Sequence, residues 1–160
     1  MNDDQKKLVQ LLKTAVNSVY NEERFLFDYI EGSRKGMEQS FVFRTGIYLN
    51  DLIKDTEFNG LDLDSEYNKN LNGVKGTDRY PDGIRPDLII HKRASNEQNK
   101  LAVEFKGFWK RNIQKDINKL EDLTNPSGKY KYTIGIFVFI GKNNAIYRYI
   151  INGAEYVEGN

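Results

Sequence analysis

Residues 132–141 read YTIGIFVFIG, ten positions with scarcely a polar side chain among them. A strand with one face in water alternates polar and apolar residues. A continuous Ile/Val/Phe run marks a strand covered on both faces. This segment therefore demands a sheet with packed layers above and below it. The chain offers helices for both. Leu8, Leu11, Leu12, Ala15, Val16 and Val19 recur at helical spacing over 4–20, Met37, Phe41, Tyr48, Leu49, Leu52 and Ile53 over 34–54, and Ile113, Ile117, Leu120 and Leu123 over 112–124, where Asn112 is a candidate cap. Residues 24–30, RFLFDYI, fit helix and strand equally.

Other strands are expected at 61–68, 86–91, 101–106 and 145–152. The Gly-, Asn- and Asp-rich stretch 69–84 reads as a mobile loop. The polar segment KRASNEQNK joins 86–91 to 101–106 as a hairpin-type connection. The order α-α-β-β-β-α-β-β predicts one α/β (α+β) domain over residues 1–160, a mixed β-sheet flanked by helices. A chain of 160 residues is long enough for one real core.

Two of these strands carry charge where apolar residues are expected. Alternation places Ala102, Glu104 and Lys106 on one face of LAVEFKG, and Leu101, Val103 and Phe105 on the other. In PDLIIH the same rule groups Asp87, Ile89 and His91 against Leu88 and Ile90. If the two strands pair, Asp87 meets Glu104 and Lys106 at one end of the sheet. Two carboxylates held close repel, and burial raises the cost of ionising each. A divalent cation removes that cost. Hard carboxylate oxygens suit Mg²⁺, with Mn²⁺ an alternative, and Mg²⁺ usually takes one or two protein carboxylates. The lysine can then steady charge growing on a phosphate.

The segments RPDLIIHKR and LAVEFKG resemble the signature of the PD-(D/E)XK nuclease superfamily, the restriction-endonuclease-like fold. Pro86-Asp87 and Glu104-Phe105-Lys106 match it residue by residue. The likeness spans about residues 34–140 and extends to small bacterial and mobile-element members, mostly without assigned function. It implies a restriction-endonuclease-like core and a Mg²⁺-dependent nuclease acting on DNA ahead of RNA. It implies metal ligands at Asp87, Glu104 and the backbone carbonyl of Phe105, and water activation by Lys106. A helix glutamate of the superfamily, which would bind the metal directly or through water, maps to Glu38 in GMEQSFVFRTG. A catalytically silent binding or regulatory module on the same fold is the alternative.

Further candidates surround this set. Phe108, Trp109, Lys110 and Arg111 directly follow the Glu104 strand, and aromatic rings beside cations hold splayed or single-stranded nucleic acid. Lys75, Arg79 and Arg85 lie in or beside the 69–84 stretch, the candidate substrate loop, and Lys115 precedes Lys119 by one helical turn. Gln114, Glu66 on the acidic face of 61–68, and His91, the chain's single histidine, complete the list. Residues 1–66 carry 8 Lys/Arg against 13 Asp/Glu, and residues 67–160 carry 16 against 10, a mild polyanion signal in the half that holds the motif.

No helix-turn-helix or zinc-finger pattern is present, so specificity is expected from loops, a homodimer or a partner protein. The chain has no cysteine, no run of 18 apolar residues and no signal peptide in its opening MNDDQKK. These features predict a cytoplasmic protein without membrane contact.

Overall fold

The computed structural model describes residues 1–26, 37–108, 110 and 112–157. Three helices, α1 (Asp3–Glu22), α2 (Met37–Ile53) and α3 (Gln114–Thr124), flank a six-stranded mixed sheet. In chain order the strands are β1 (Asp62–Ser65), β2 (Lys69–Asn70), β3 (Gly73–Val74), β4 (Leu88–His91), β5 (Leu101–Gly107), β6 (Ile134–Ile140), β7 (Ala145–Ile151) and β8 (Ala154–Tyr156). The sheet runs β1-β4-β5-β6-β7-β8, and β2 and β3 form a separate two-stranded piece. Among the described residues only the central β5–β6 pair is parallel, joined by the α3 crossover, and the other pairs are antiparallel.

The 132–141 run becomes β6, covered on both faces as its composition requires. Ile134, Ile136, Val138 and Ile140 join a core with Leu8, Leu12, Val16 and Val19 of α1 and Phe41, Leu49 and Ile53 of α2. Phe137 turns to the opposite core, with Ile117, Leu120 and Leu123 of α3. Gly135 lets α3 approach closely. A Cβ there would stand 3.1 Å from the Leu120 Cβ and 3.3 Å from the Thr124 Cγ2.

The alternation read in β4 and β5 holds. Leu88, Ile90, Leu101, Val103 and Phe105 enter the α1/α2 core, and Ile89 and Ala102 enter the α3 core. Helix α1 starts on a capping box. The Asn2 side chain accepts from the Gln5 N–H at 2.9 Å, and the Gln5 side chain accepts from the Asn2 N–H at 2.8 Å.

Four local expectations are corrected. Residues 69–84 contain β2 and β3 and are tied down: the Lys75 N–H donates to the Asn68 carbonyl at 2.6 Å and the Ile84 N–H to the Lys75 carbonyl at 2.7 Å. An unexpected edge strand, β8, follows β7 through a turn in which Asn152 and Gly153 both have positive φ, 54° and 79°. That is the Asn-Gly signal of a tight hairpin. Helix α3 begins two residues later than expected, with the Asn112 side chain accepting the Gln114 N–H at 3.3 Å. Residues 24–26 form a short 3-10 turn, while 27–30 and 34–36 lie outside the described residues.

No helix among the described residues is long and apolar enough to cross a membrane.

Candidate active site

Antiparallel pairing of Leu88 with Val103 puts the preceding residue, Asp87, opposite Glu104. The β4–β5 ladder ends there, and the Asp87 carboxylate accepts the Phe105 N–H at 2.6 Å. Asp87, Glu104 and Lys106 thereby line one cleft of about 300 Å³. Glu38 from α2, Glu66 and Arg85, and Lys115, Asp116 and Lys119 from α3 line it as well. The two strand carboxyls and the strand lysine converge as alternation predicted.

Glu104 is 2% exposed, yet only one of its oxygens is paired. Oε2 accepts from the Lys119 Nζ at 2.9 Å, while Oε1 is buried with no hydrogen-bond partner. The Lys106 Nζ lies 2.7 Å from Asp116 Oδ2, and the Lys119 Nζ lies 3.2 Å from Asp116 Oδ1. Asp116 thus holds both ammonium groups. Burial drives the Asp87 carboxyl up to about 6, against the Phe105 N–H and the Lys119 charge, which favour ionisation. Burial, then the neighbouring Asp87, holds Glu104 well above the carboxylate range. For Lys106 and Lys119 burial acts downward, but Asp116 beside Lys106 and Glu104 beside Lys119 prevail, and both stay above the ordinary lysine value.

The Asp87 shift has a sign that can be checked. A carboxyl raised in the folded state binds more protons there than in the unfolded chain, so its cost is absent below about pH 4 and complete above about pH 6. Asp87→Asn is expected to stabilise the metal-free protein by about 3 kcal/mol at pH 7.5 and by well under about 1 kcal/mol at pH 4. Urea unfolding in EDTA at the two pH values measures this; an equal effect at both would contradict it.

The remaining candidates separate. Glu38 reaches the cleft with both oxygens engaged, one by the Gly107 N–H at 2.9 Å and one by the Lys110 Nζ at 2.7 Å. Glu66 and Arg85 form an exposed, loose pair at 3.8 Å on the rim. Trp109 and Arg111 lie outside the described residues. Lys75 is corrected: it is 2% exposed, donates to the Tyr132 hydroxyl at 2.9 Å and sits over the rings of Tyr67, Tyr130 and Tyr132, so it is closed to a nucleic acid. Burial lowers it to about 8.

Arg79 lines a different cleft, of about 670 Å³, and pairs with Glu121 at 3.1 Å and Asp122 at 3.3 Å. Gln114 donates to the Asn118 side chain at 2.8 Å and does not line the site. His91, a candidate catalytic residue whose plainer reading is an exposed strand end, is neither in the cleft nor exposed. It is buried at the other end of β4, about 10–13 Å along the strand from Asp87, and its Nε2 meets Asp64 Oδ2 at 2.9 Å. Burial pulls its pKa down.

Asp116 and Lys119 are the cleft-lining positions that sequence reasoning undervalued. Asp116 stands between Lys115 and Lys119, where a charge reads as part of a solvated face. It lies three residues after Ile113 and four before Leu120, so it belongs to the inward stripe of α3 and is buried there. A charge inside an apolar stripe was the available signal.

Among the described residues no group of three His, Asp or Glu side chains forms a metal-binding arrangement. The donor set is smaller: two facing carboxyls, one with a buried, unpartnered oxygen, and the carbonyl of Phe105, next to Glu104 in sequence. That fits Mg²⁺, which usually takes one or two carboxylates. Comparisons with protein-family models, curated proteins and solved structures find no match to this chain.

Proposed function

We propose that this chain is a metal-dependent nuclease of the PD-(D/E)XK type, hydrolysing phosphodiester bonds of DNA ahead of RNA. The observation that carries the reading is the meeting of Asp87, Glu104 and Lys106 in one cleft, with a Glu104 oxygen buried and unpartnered. The mixed sheet with helices on both faces supports a restriction-endonuclease-like core.

Asp87, Glu104 and the Phe105 carbonyl would hold Mg²⁺, which supplies Lewis-acid polarisation of the phosphate. Lys106 carries its charge on the same face, fixed by Asp116, where it can position the attacking water and offset charge on the phosphate. Lys115 and Arg85 at the cleft give the backbone of the nucleic acid a cationic approach. Glu38 ties the end of β5 and the segment after it to α2 through Gly107 and Lys110.

One observation favours the catalytically silent module. The charges of Lys106, Lys119, Glu104 and Asp116 pair with one another, as a structural ion network would. Incubating the protein with plasmid and single-stranded DNA in Mg²⁺, Mn²⁺ or EDTA separates the two. The nuclease reading requires cleavage that EDTA and Glu104→Gln each abolish. Intact DNA under every metal condition would leave the binding module.

A further inference from the structure

Lys119 makes the cluster more than a pair of acids and a lysine. Its ammonium donates to Glu104 at 2.9 Å, reaches Asp116 at 3.2 Å, and is close enough to favour ionisation of Asp87. One positive charge therefore serves the two carboxyls that face each other across β4 and β5. It meets one Glu104 oxygen and leaves the other, Oε1, buried and unpartnered. Lys106 does not share this position, because its own partner is Asp116.

Building on the nuclease reading, we infer that Lys119 is an internal counter-ion, a positioning residue that stands in the cation's place on Glu104 and yields it when a divalent cation binds. A metal ion shared by Asp87 and Glu104 and an ammonium on Glu104 repel, so the two occupants compete. Asp116 is the second seat. Already 3.2 Å away, it keeps the displaced ammonium at the cleft wall instead of releasing it to solvent. The flexible four-carbon stem of lysine suits such a transfer, where the rigid fork of arginine does not. Lys115 stands one helical turn before Lys119 and lines the same cleft, so the exchange leaves two cations facing an incoming phosphate.

Mn²⁺ titration calorimetry on the full chain tests this with wild type, Lys119→Met, Lys119→Arg and Glu104→Gln. Lys119→Met is expected to tighten Mn²⁺ binding about tenfold, because removing a unit charge within a few ångströms of a divalent ion is worth at least that. Lys119→Arg, which keeps the charge but loses the mobile stem, is expected to bind Mn²⁺ more weakly than wild type, and Glu104→Gln to lose the site. Wild-type binding that Glu104→Gln abolishes but Lys119→Met leaves equal or weaker would overturn the counter-ion role while the metal site stands. No Mn²⁺ binding in any variant would overturn both.

The wild-type protein gives a second readout. Among the lysine Nζ–H NMR resonances, that of the half-buried Lys119 ammonium on Glu104 is expected to shift when Mg²⁺ is added. A resonance unmoved at saturating Mg²⁺ would contradict the exchange.

Discussion

Lys106→Met is expected to lower the rate of DNA cleavage by about 10²–10⁴, the range over which a positioned acid–base or charge-stabilising side chain contributes. Lys106 shares the β5 face of Glu104, and Asp116 fixes its ammonium at 2.7 Å. The substitution removes a charge from the cleft with little change of volume. It does not strand Asp116, which retains Lys119 at 3.2 Å. The protein is therefore expected to fold, to unfold at nearly the wild-type temperature and to bind Mn²⁺ still, since Asp87 and Glu104 are untouched. Single-turnover cleavage, thermal unfolding and Mn²⁺ titration on one preparation separate these effects. A variant that cleaves at the wild-type rate would remove Lys106 from the chemistry. A variant that loses cleavage only because it unfolds would make Lys106 a structural residue.

The opposite behaviour is expected one residue earlier. Phe105 is 1% exposed and turned into the α1/α2 core, edge-on to Phe41 with ring centroids 6.0 Å apart. Phe41 in turn meets Tyr20 at 5.5 Å, which links α1, α2 and β5 through three rings. Phe105→Ala leaves a cavity at that junction and is expected to cost about 3–5 kcal/mol. Against a total stability of about 5–15 kcal/mol this is a large fraction, and it lowers the unfolding temperature by roughly 6–20 °C.

The Phe105 backbone N–H still holds Asp87, and no side-chain atom is lost from the cleft. Below the lowered melting temperature, Phe105→Ala is expected to cleave at close to the wild-type rate. Urea unfolding and cleavage at low temperature check the two halves. An unchanged stability would mean that the α1/α2 core closes without this ring.

The contrast between Phe105 and its neighbours shows what a linear reading captures. Period-two alternation separated Leu101, Val103 and Phe105 from Glu104 and Lys106, and the two cores and the cleft follow that division. The apolar run at 132–141 announced a strand covered on both faces, and β6 is one.

What alternation does not carry is which long polar side chains meet across elements. Lys75 looked like a loop cation because its neighbours are Gly, Asn and Asp. It is buried because Tyr67, Tyr130 and Tyr132, two of them over fifty residues away, close around it. His91 fell on the correct face of β4 but at the end away from the cleft, where Asp64 across the β1–β4 pair takes its ring nitrogen. Asp116 was hidden by the opposite error, because a charge beside Lys115 and Lys119 reads as solvent-exposed until strand and helix are packed together. Local periodicity thus placed the acids. The ion pairs that set their electrostatics depend on contacts distant in sequence.

The central claim is that Asp87 and Glu104 face each other in order to share a cation. Crystals grown with Mn²⁺ and examined by anomalous scattering test it most directly. The account predicts one strong peak between the two carboxyls, within reach of the Phe105 carbonyl, with the Lys119 ammonium moved off Glu104 toward Asp116. A map at saturating Mn²⁺ with no peak there, and Lys119 still bonded to Glu104, would contradict it.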